Sequence, residues 1–480
     1  MKAIMVMFDT LTRNYLSTYG NDWCHTPNFK RLEEKCCVMD RFYGGSMPCM
    51  PARRELHTGK YNFLHRSWGP LEPFDFSVVE ALSAAGIYTH LCTDHSHYFE
   101  DGGCTYHNRY SSWEGFRGQE GDRWIPRLNV QTPDVSKYGK KGISVTQHAA
   151  NKLAQRVEED MSSVKTFHAG MKFIEENKDN DNWFLTIESF DPHEPFYVPD
   201  KYRKMYDLPD EVELNWPAYM PMDDDLDVSA LRKEYASLIA MCDTYLGKVL
   251  DMMDAYHMWD DTMLIVNTDH GFLLGEHNYL GKNFWPMHQE IIHIPFYIHV
   301  PKQSIGRRDA LCQTIDIAPT LLDYFGLEKP ENMEGKSLLP VVKENQKIHD
   351  YALFGMHGGH VNITDGDYVY MKASHDKTNQ PFVECTLMPT QMRSFFPKDV
   401  LETMQIVDGD QLSHGIPYLK MRGKSYMQSY LFGNLLFDVR EKEIQIDNQE
   451  IQNRLENAMI DMMKAVDAPQ EEFKRLGLNH

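Results

Sequence analysis

Three short apolar runs, each ending in residues able to bind a cation or carry a proton, constrain the fold of this chain more than any other feature. Ala3 to Phe8 ends at Asp9. Phe184 to Ile187 leads into Ser189-Phe190-Asp191-Pro192-His193, and Met263 to Val266 leads into Asn267-Thr268-Asp269-His270-Gly271. Runs this short and rich in β-formers, alternating with helical stretches, predict a doubly wound, largely parallel α/β sheet. Ligands in open α/β sheets bind outside the carboxyl ends of the strands. If these strands are parallel neighbours, Asp9, His193, Asp269 and His270 meet on one edge. Each residue also has a plainer reading. An Asp after a strand is a common turn or cap residue, and a His between Pro192 and Pro195 serves equally well as part of a loop.

A second local pattern points to the same chemistry. Gly44, Gly45, Ser46 and Pro48 read as a loop, and Pro51 followed by Ala52, Arg53, Arg54, Glu55 and Leu56 reads as a helix start, which puts Cys49 at a helix N-terminus. Free backbone N–H groups and the helix dipole favour an anion there, and Arg53, one turn in, is placed to hold an oxyanion. Two carboxylates, an imidazole and a helix N-terminus suit a divalent cation paired with a tetrahedral anion. A lone Cys is more often a buried structural thiol. Here it belongs to a longer string, Cys49-x-Pro51-Ala52-Arg53 with Thr58-Gly59 following. Such a string arises by chance on the order of once in 10^5 chains of this length.

Composition narrows the partners. In 480 residues, 49 Lys and Arg stand against 70 Asp and Glu, a formal charge of −21. That argues against nucleic acid or an anionic membrane as a general partner, so an anionic substrate must be caught by local cations. Hydrophobic residues make up 42% of the chain, enough for one large domain and a smaller one. Met1 to Asp9 reads as a strand and not as a signal peptide, and no apolar run reaches membrane-spanning length. The nine cysteines (24, 36, 37, 49, 92, 104, 242, 312 and 385) are odd in number and irregularly spaced. This pattern fits a reducing compartment, and the expected location is cytoplasmic. Cys36-Cys37 lacks the spacing of a zinc site.

The Cys49 string resembles the first signature of the type I, formylglycine-dependent sulfatases, within the alkaline phosphatase superfamily. Four further segments extend the resemblance over most of the chain. Thr268-Asp269-His270-Gly271-Phe272-Leu273-Leu274-Gly275-Glu276-His277 with Gly281-Lys282 is similar to the second signature, and Asp191-Pro192-His193-Glu194-Pro195 is similar to the P-H-x-P element. Thr314 to Leu322 and Gly335 to Pro340 match later landmarks. The resemblance implies a large α/β domain with a mostly parallel sheet flanked by helices, then a small C-terminal α+β domain with an antiparallel sheet. It implies hydrolysis of a sulfate ester of a sugar or a small alkyl or aryl alcohol. It also implies oxidation of Cys49 to formylglycine by a formylglycine-generating enzyme, and a divalent metal held by Asp9, Asp269, His270 and the modified Cys49. Arg53 and Lys282 then balance charge on the sulfuryl oxygens, and His193, or Lys282, protonates the leaving alcohol.

The chain departs from the family pattern in two places. Asp9 is followed by Thr10 where many sulfatases carry a second Asp. Calcium is the family default, yet one carboxylate fewer together with His270 also suits manganese. Relatives that hydrolyse phosphonate monoesters share this feature, which keeps a phosphonate monoester or phosphodiester hydrolase as the alternative. Where many sulfatases carry Gly-Lys-Trp-His, this chain has Thr93-Asp94-His95-Ser96-His97. His95 or His97 then contacts the substrate or serves as base, or the pair is surface decoration. A non-catalytic metal-binding relative is the third reading.

The remaining segments read as support. Tyr98 to Gly142, rich in Gly, Arg and aromatics, is expected to be a substrate-facing loop. Tyr235 to Tyr256 has helical spacing and a packing face. A boundary is expected where the chain turns polar after Pro340, dividing it into 1–345 and 346–480. Beyond it, Tyr351 to Met371 reads as two strands around Thr364-Asp365-Gly366-Asp367, and Asn448 to Leu476 as an amphipathic helical region. His357 and His360 either border the pocket or serve a loop.

Overall fold

In the computed structural model, which describes residues 1–135, 143–210, 214–222, 226–425 and 427–478, an eight-stranded sheet carries the site. Its strands are β1 (Lys2–Phe8), β2 (Cys37–Met39), β3 (Tyr88–Thr93), β4 (Ser112–Gly115), β5 (Trp183–Ser189), β6 (Thr262–Thr268), β7 (Phe296–His299) and β8 (Gly306–Arg308). Their order across the sheet is β8-β2-β7-β6-β1-β5-β3-β4. All run parallel except β7, which lies antiparallel to β6 and β2. The three apolar runs are therefore the adjacent central strands β6, β1 and β5. Their register is level, with Phe8 opposite Ser189 on one side and Thr268 on the other, so all three chains leave the sheet at one height.

Continuous apolar runs suit a sheet covered on both faces. Along β1, Ile4, Val6 and Phe8 face a core shared with the helices α2 (Ser162–Asn177) and α3 (Ser229–Ala255). Ala3, Met5 and Met7 face the opposite core, closed by α4 (Ile317–Tyr324). The helix expected at Tyr235 to Tyr256 is the body of α3.

A second sheet contains β9 (Ala352–Met356), β10 (Val361–Thr364), β11 (Tyr368–Lys372), β12 (Leu435–Asp438) and β13 (Ile444–Gln445), paired antiparallel in sequence order. Three strands thus occupy the segment expected to hold two. The turn at 365–367 lies where the Asp-Gly signal places it, and an additional reversal follows Met356, where Gly358 adopts φ +79°. The sheet takes a sixth strand from far upstream, Ser46–Met47, parallel to β9. Leu353, Ile363 and Tyr370 pack under α5 (Gln449–Ala465), while Phe354, Val369 and Met371 face Tyr43, Met47 and Ile291 of the larger part. The expected C-terminal helical region is split, with α6 (Gln470–Leu476) starting after Pro469.

The segment from Tyr98 onward is less irregular than expected. Ser112–Gly115 pairs with β3 as the edge strand β4, so a buried neighbour overrides its polar composition. Residues 136–142 of that segment lie outside the described residues. No helix among the described residues is long and apolar enough to cross a membrane.

Candidate active site

Every residue of the helix α1 (Cys49–Thr58) is buried, although it carries two arginines, a glutamate and a histidine. Buried polar groups must be paired, and the pairings explain the local fold. Arg54 donates to Asn62 Oδ1 and to the carbonyls of Ser67, Gly69 and Pro70. Glu55 Oε1 accepts from the Ser46 N–H and hydroxyl, both at 2.5 Å, and Glu55 Oε2 accepts from Thr314 Oγ1. A Cβ at Gly45 would lie 2.4 Å from Glu55 Oε1, so glycine is required for the loop to pass over the carboxylate. The helix closes at Gly59, which adopts the left-handed φ of +62° and donates to Glu55 O.

Burial pushes Glu55 up from 4.5 to about 7, against the pull of Ser46 and Thr314. The folded state then holds this proton more tightly than the unfolded chain. The contribution is full below pH 4.5 and is lost as pH rises through about 7. We expect Glu55→Gln to flatten the fall in stability across that window, an effect of up to roughly 3 kcal/mol. Urea unfolding at a series of pH values measures it, and an unchanged slope would show Glu55 to be ionised throughout.

Cys49 Sγ lies 3.3 Å from His270 Nε2, 3.8 Å from Asp9 Oδ1 and 3.6 Å from Lys282 Nζ. Ligand atoms of Asp9, Cys49, Asp269 and His270 all lie within 4.8 Å of one another. Of the four residues the sequence placed on one edge, Asp9, Asp269 and His270 thus meet at Cys49, and His193 belongs to a neighbouring group with Glu120 and Glu194. His270 Nδ1 lies 3.1 Å from Gly271 O. A carbonyl only accepts, so Nδ1 carries the proton and Nε2 turns a lone pair into the cluster. Burial lowers the His270 pKa, which keeps that lone pair available. Two carboxylates and one neutral imidazole form a donor set that fits a hard or borderline divalent cation.

Arg53 organises these carboxylates. Its Nε meets Glu188 Oε1 at 2.5 Å, Nη1 meets Asp269 Oδ2 at 2.6 Å, and Nη2 meets Asp9 Oδ2 at 2.9 Å. Nη1 also donates to Cys49 O. Four of the five guanidinium N–H groups are thereby engaged, more than an oxyanion clamp would leave engaged. Burial pushes Asp9 up, but Arg53, Lys282 and His270 outweigh it and hold the carboxyl well below its usual range.

Thr10, at φ +65°, takes the place of the second Asp. It donates through Oγ1 to Asp9 Oδ1 and through N to Asp269 Oδ1, and accepts from Lys282 Nζ at 2.9 Å. Burial pushes the Lys282 ammonium down, but the carboxylates of Glu194, Asp9 and Asp269 raise its pKa and keep it charged. Burial and Asp9 push the Cys49 thiol well above its ordinary range. An unmodified thiol here is protonated and a poor nucleophile.

The histidines divide. His95, fully buried, lies with Nδ1 3.7 Å from Asp9 Oδ2, and burial with Arg53 keeps it neutral. His97 turns instead to Glu100, with Nδ1 2.7 Å from Oε2. His193 stacks on Phe190 at 4.2 Å and donates from Nδ1 to Glu194 O, with Glu194 Oε2 at 3.2 Å and Glu120 Oε1 at 4.0 Å. Asp94 accepts from Phe190 N and Gln119 Nε2, so it braces the turn that carries His193. His357 lines a cavity of about 280 Å3 with Pro48, Trp68, Asn283 and Phe284, whereas His360 binds Gly433 O and serves a loop.

Sequence reasoning did not find Glu188 or Glu120. Glu188 had a signal, a lone charge closing an apolar run that leaves it no solvent face. Glu120 had none, since it is joined to Arg393, 3.1 Å away and far along the chain.

The family model for the sulfatases matches residues 2–327, and that for the C-terminal part of N-sulphoglucosamine sulphohydrolase matches residues 275–402. The chain belongs to the sulfatase family. Two curated relatives are a multifunctional alkaline phosphatase superfamily protein, PehA, of Trinickia caryophylli and an arylsulfatase of Clostridium perfringens. The first is 26% identical over 67% of this chain and 72% of its own length, the second 23% identical over 87% and 92%. Among solved structures, this sulfatase is similar in fold to a protein in complex with its substrate D-glucosamine-2-N,6-O-disulfate. The TM-score is 0.67 at 16% identity, over 98% of this chain and 99% of that one. It is also similar to the phosphonate monoester hydrolase of Agrobacterium radiobacter, with a TM-score of 0.61 at 20% identity, over 78% and 87%.

Proposed function

We propose that this sulfatase hydrolyses the sulfate monoester of a sugar or of a small alkyl or aryl alcohol, with formylglycine made from Cys49 as its nucleophile. The observation that carries the reading is the meeting of Cys49, at a helix N-terminus, with Asp9, Asp269, His270 and the buried cations Arg53 and Lys282. Asp9, Asp269, His270 and residue 49 would hold a divalent cation, calcium or manganese. Formylglycine would supply a hydrate oxygen as nucleophile, and a cation bound there would favour its ionisation.

The chain's own groups do the rest. Arg53 fixes the carboxylates, and Lys282 faces residue 49 with an uncommitted N–H for a sulfuryl oxygen. His193 has Nδ1 bound to Glu194 O, so Nε2 is the atom that passes a proton to the leaving alcohol. Burial and Lys282 hold its pKa low, and Glu194 and Glu120 beside Nδ1 compensate the charge when the ring is protonated. His95 stands against the Asp9 oxygen that Arg53 also holds and serves as base, and His97 lies between Glu100 and Glu120.

Charge supports a monoanionic substrate. Asp9, Asp269 and Glu188 face two fixed cations, and a divalent metal turns that single negative excess into a single positive one. Sulfate monoesters and phosphonate monoesters both match, and phosphate monoester dianions do not. Thr10 bound to Lys282 favours the phosphonate ester as the second reading. Nine free thiols support a reducing, cytoplasmic setting. The chain is divided at 345/346 into catalytic and C-terminal parts.

The test compares an aryl sulfate with the matched aryl phosphonate monoester, using protein co-expressed with a formylglycine-generating enzyme. Faster sulfate turnover supports the reading, and dominant phosphonate turnover replaces it with the second. Calcium or manganese added to chelator-treated protein is expected to raise its stability by about 2.7 kcal/mol at a hundredfold excess over Kd. Asp269→Asn loses this gain, and a gain that survives the substitution places the cation elsewhere.

A further inference from the structure

A second set of metal-ligating side chains converges outside the Cys49 site. His277, His288 and Glu290 come from the segments flanking Lys282, and Glu443 comes from the turn between β12 and β13. His277 Nε2 lies 3.1 Å from Glu290 Oε2 and 3.2 Å from Glu443 Oε2, and His288 Nδ1 lies 2.9 Å from Glu443 Oε2. One ligand atom each of His277, His288 and Glu443 falls within 4.8 Å of the others.

The cluster lacks a fixed countercharge. The Glu443 side chain is 6% exposed, and its Oε1 has no hydrogen-bond partner. Among the described residues, Glu290 and Glu443 form ion pairs with these histidines and with no lysine or arginine. A buried carboxylate held this way needs another cation.

We propose that His277, His288 and Glu443 bind a zinc-like divalent cation that joins the larger part of the chain to the second sheet, with Glu290 beside His277. Two imidazole nitrogens and a carboxylate oxygen, with water as a fourth ligand, form the mixed, borderline donor set that zinc takes in four-coordinate sites, whereas calcium calls for six to eight oxygens. Metal arms of about 2.0–2.2 Å space tetrahedral ligand atoms roughly 3.3–3.6 Å apart, and Glu443 Oε2 lies 3.2 Å from His277 Nε2 and 2.9 Å from His288 Nδ1. The His277 and His288 rings stack at 3.5 Å. Sharing an ion therefore tilts one ring, and His277, with its side chain 26% exposed, has the room. The ion anchors the turn at His277, which leads through the strand Tyr279–Gly281 to Lys282, so its role is to position that lysine and not to react.

Cobalt titration of the full chain tests this, with the Cys49 site disabled by Asp9→Asn. The expected result is one equivalent of four-coordinate cobalt seen by its visible absorption, displaced by zinc, and lost in Glu443→Gln and in His288→Ala. Wild-type crystals soaked in zinc provide a measurement free of the Asp9 substitution, with anomalous density expected between His288 and Glu443. Absorption that persists in both variants, or soaked crystals without that density, overturns the proposal. A cluster that stabilises the fold on acidification and ignores zinc is held by protonated histidine, which overturns it equally.

Discussion

Cys49→Ala is expected to lower kcat/KM for a sulfate ester by about 10^4 to 10^6-fold, the scale on which enzymes lose rate with a covalent nucleophile. The fold survives, because the thiol forms only long contacts to His270, Asp9 and Lys282 and an alanine fits the same space. Cys49→Ser is the sharper variant. A serine hydroxyl at the helix N-terminus can attack sulfur once, but it has no second hydroxyl to expel sulfate. A single burst of alcohol, stoichiometric with enzyme, is expected, followed by arrest with sulfated serine detectable by mass spectrometry. Steady turnover by the serine variant would sink the formylglycine mechanism, and so would near-wild-type rates from the alanine variant.

Arg53→Met should produce the largest loss of stability, about 3–5 kcal/mol in metal-free protein, because it leaves Asp9, Asp269 and Glu188 buried without their shared partner. The pH dependence carries the signature. In the wild type the depressed Asp9 pKa gives stability that is present above 3.8 and lost as pH falls through the much lower folded value. Without Arg53, only Lys282, His270 and the Thr10 hydroxyl oppose burial, so this depression of the Asp9 pKa shrinks and less of its contribution is left to lose on acidification. Calcium or manganese should restore part of the loss by supplying charge at Asp9 and Asp269. Equal stability of variant and wild type across pH, measured by denaturant unfolding, would show that Arg53 is not what holds the carboxylates.

What was legible in the sequence was local. Apolar runs ending in Asp9, Asp269 and the His193 turn announce adjacent parallel strands, because a strand covered on both faces turns polar only where it leaves the sheet. The level register of β5, β1 and β6 then brings the ends together. Pairings across long separations left no such trace. The fan of carboxylates around Arg53 needed Glu188, whose place at the end of an apolar run reads as strand. In the sequence His97 reads as a substrate ligand beside His95, and in the fold it turns to Glu100, three residues on. The strand Ser46–Met47 is too short for any periodicity and owes its existence to β9.

That borrowed strand also bears on timing. Cys49 is 1% exposed in the finished fold, which leaves no opening for the oxidising enzyme that the proposed formylglycine chemistry requires. If Cys49 is converted as proposed, the timing matters, because Ser46–Met47 can be pinned only after Ala352–Met356 has been synthesised, and synthesis proceeds from the N-terminus at about 5–20 residues per second. The ribosome thus grants the Cys49 segment a spell of tens of seconds in which it is made but not yet enclosed, and the length of the intervening chain sets the duration of that spell.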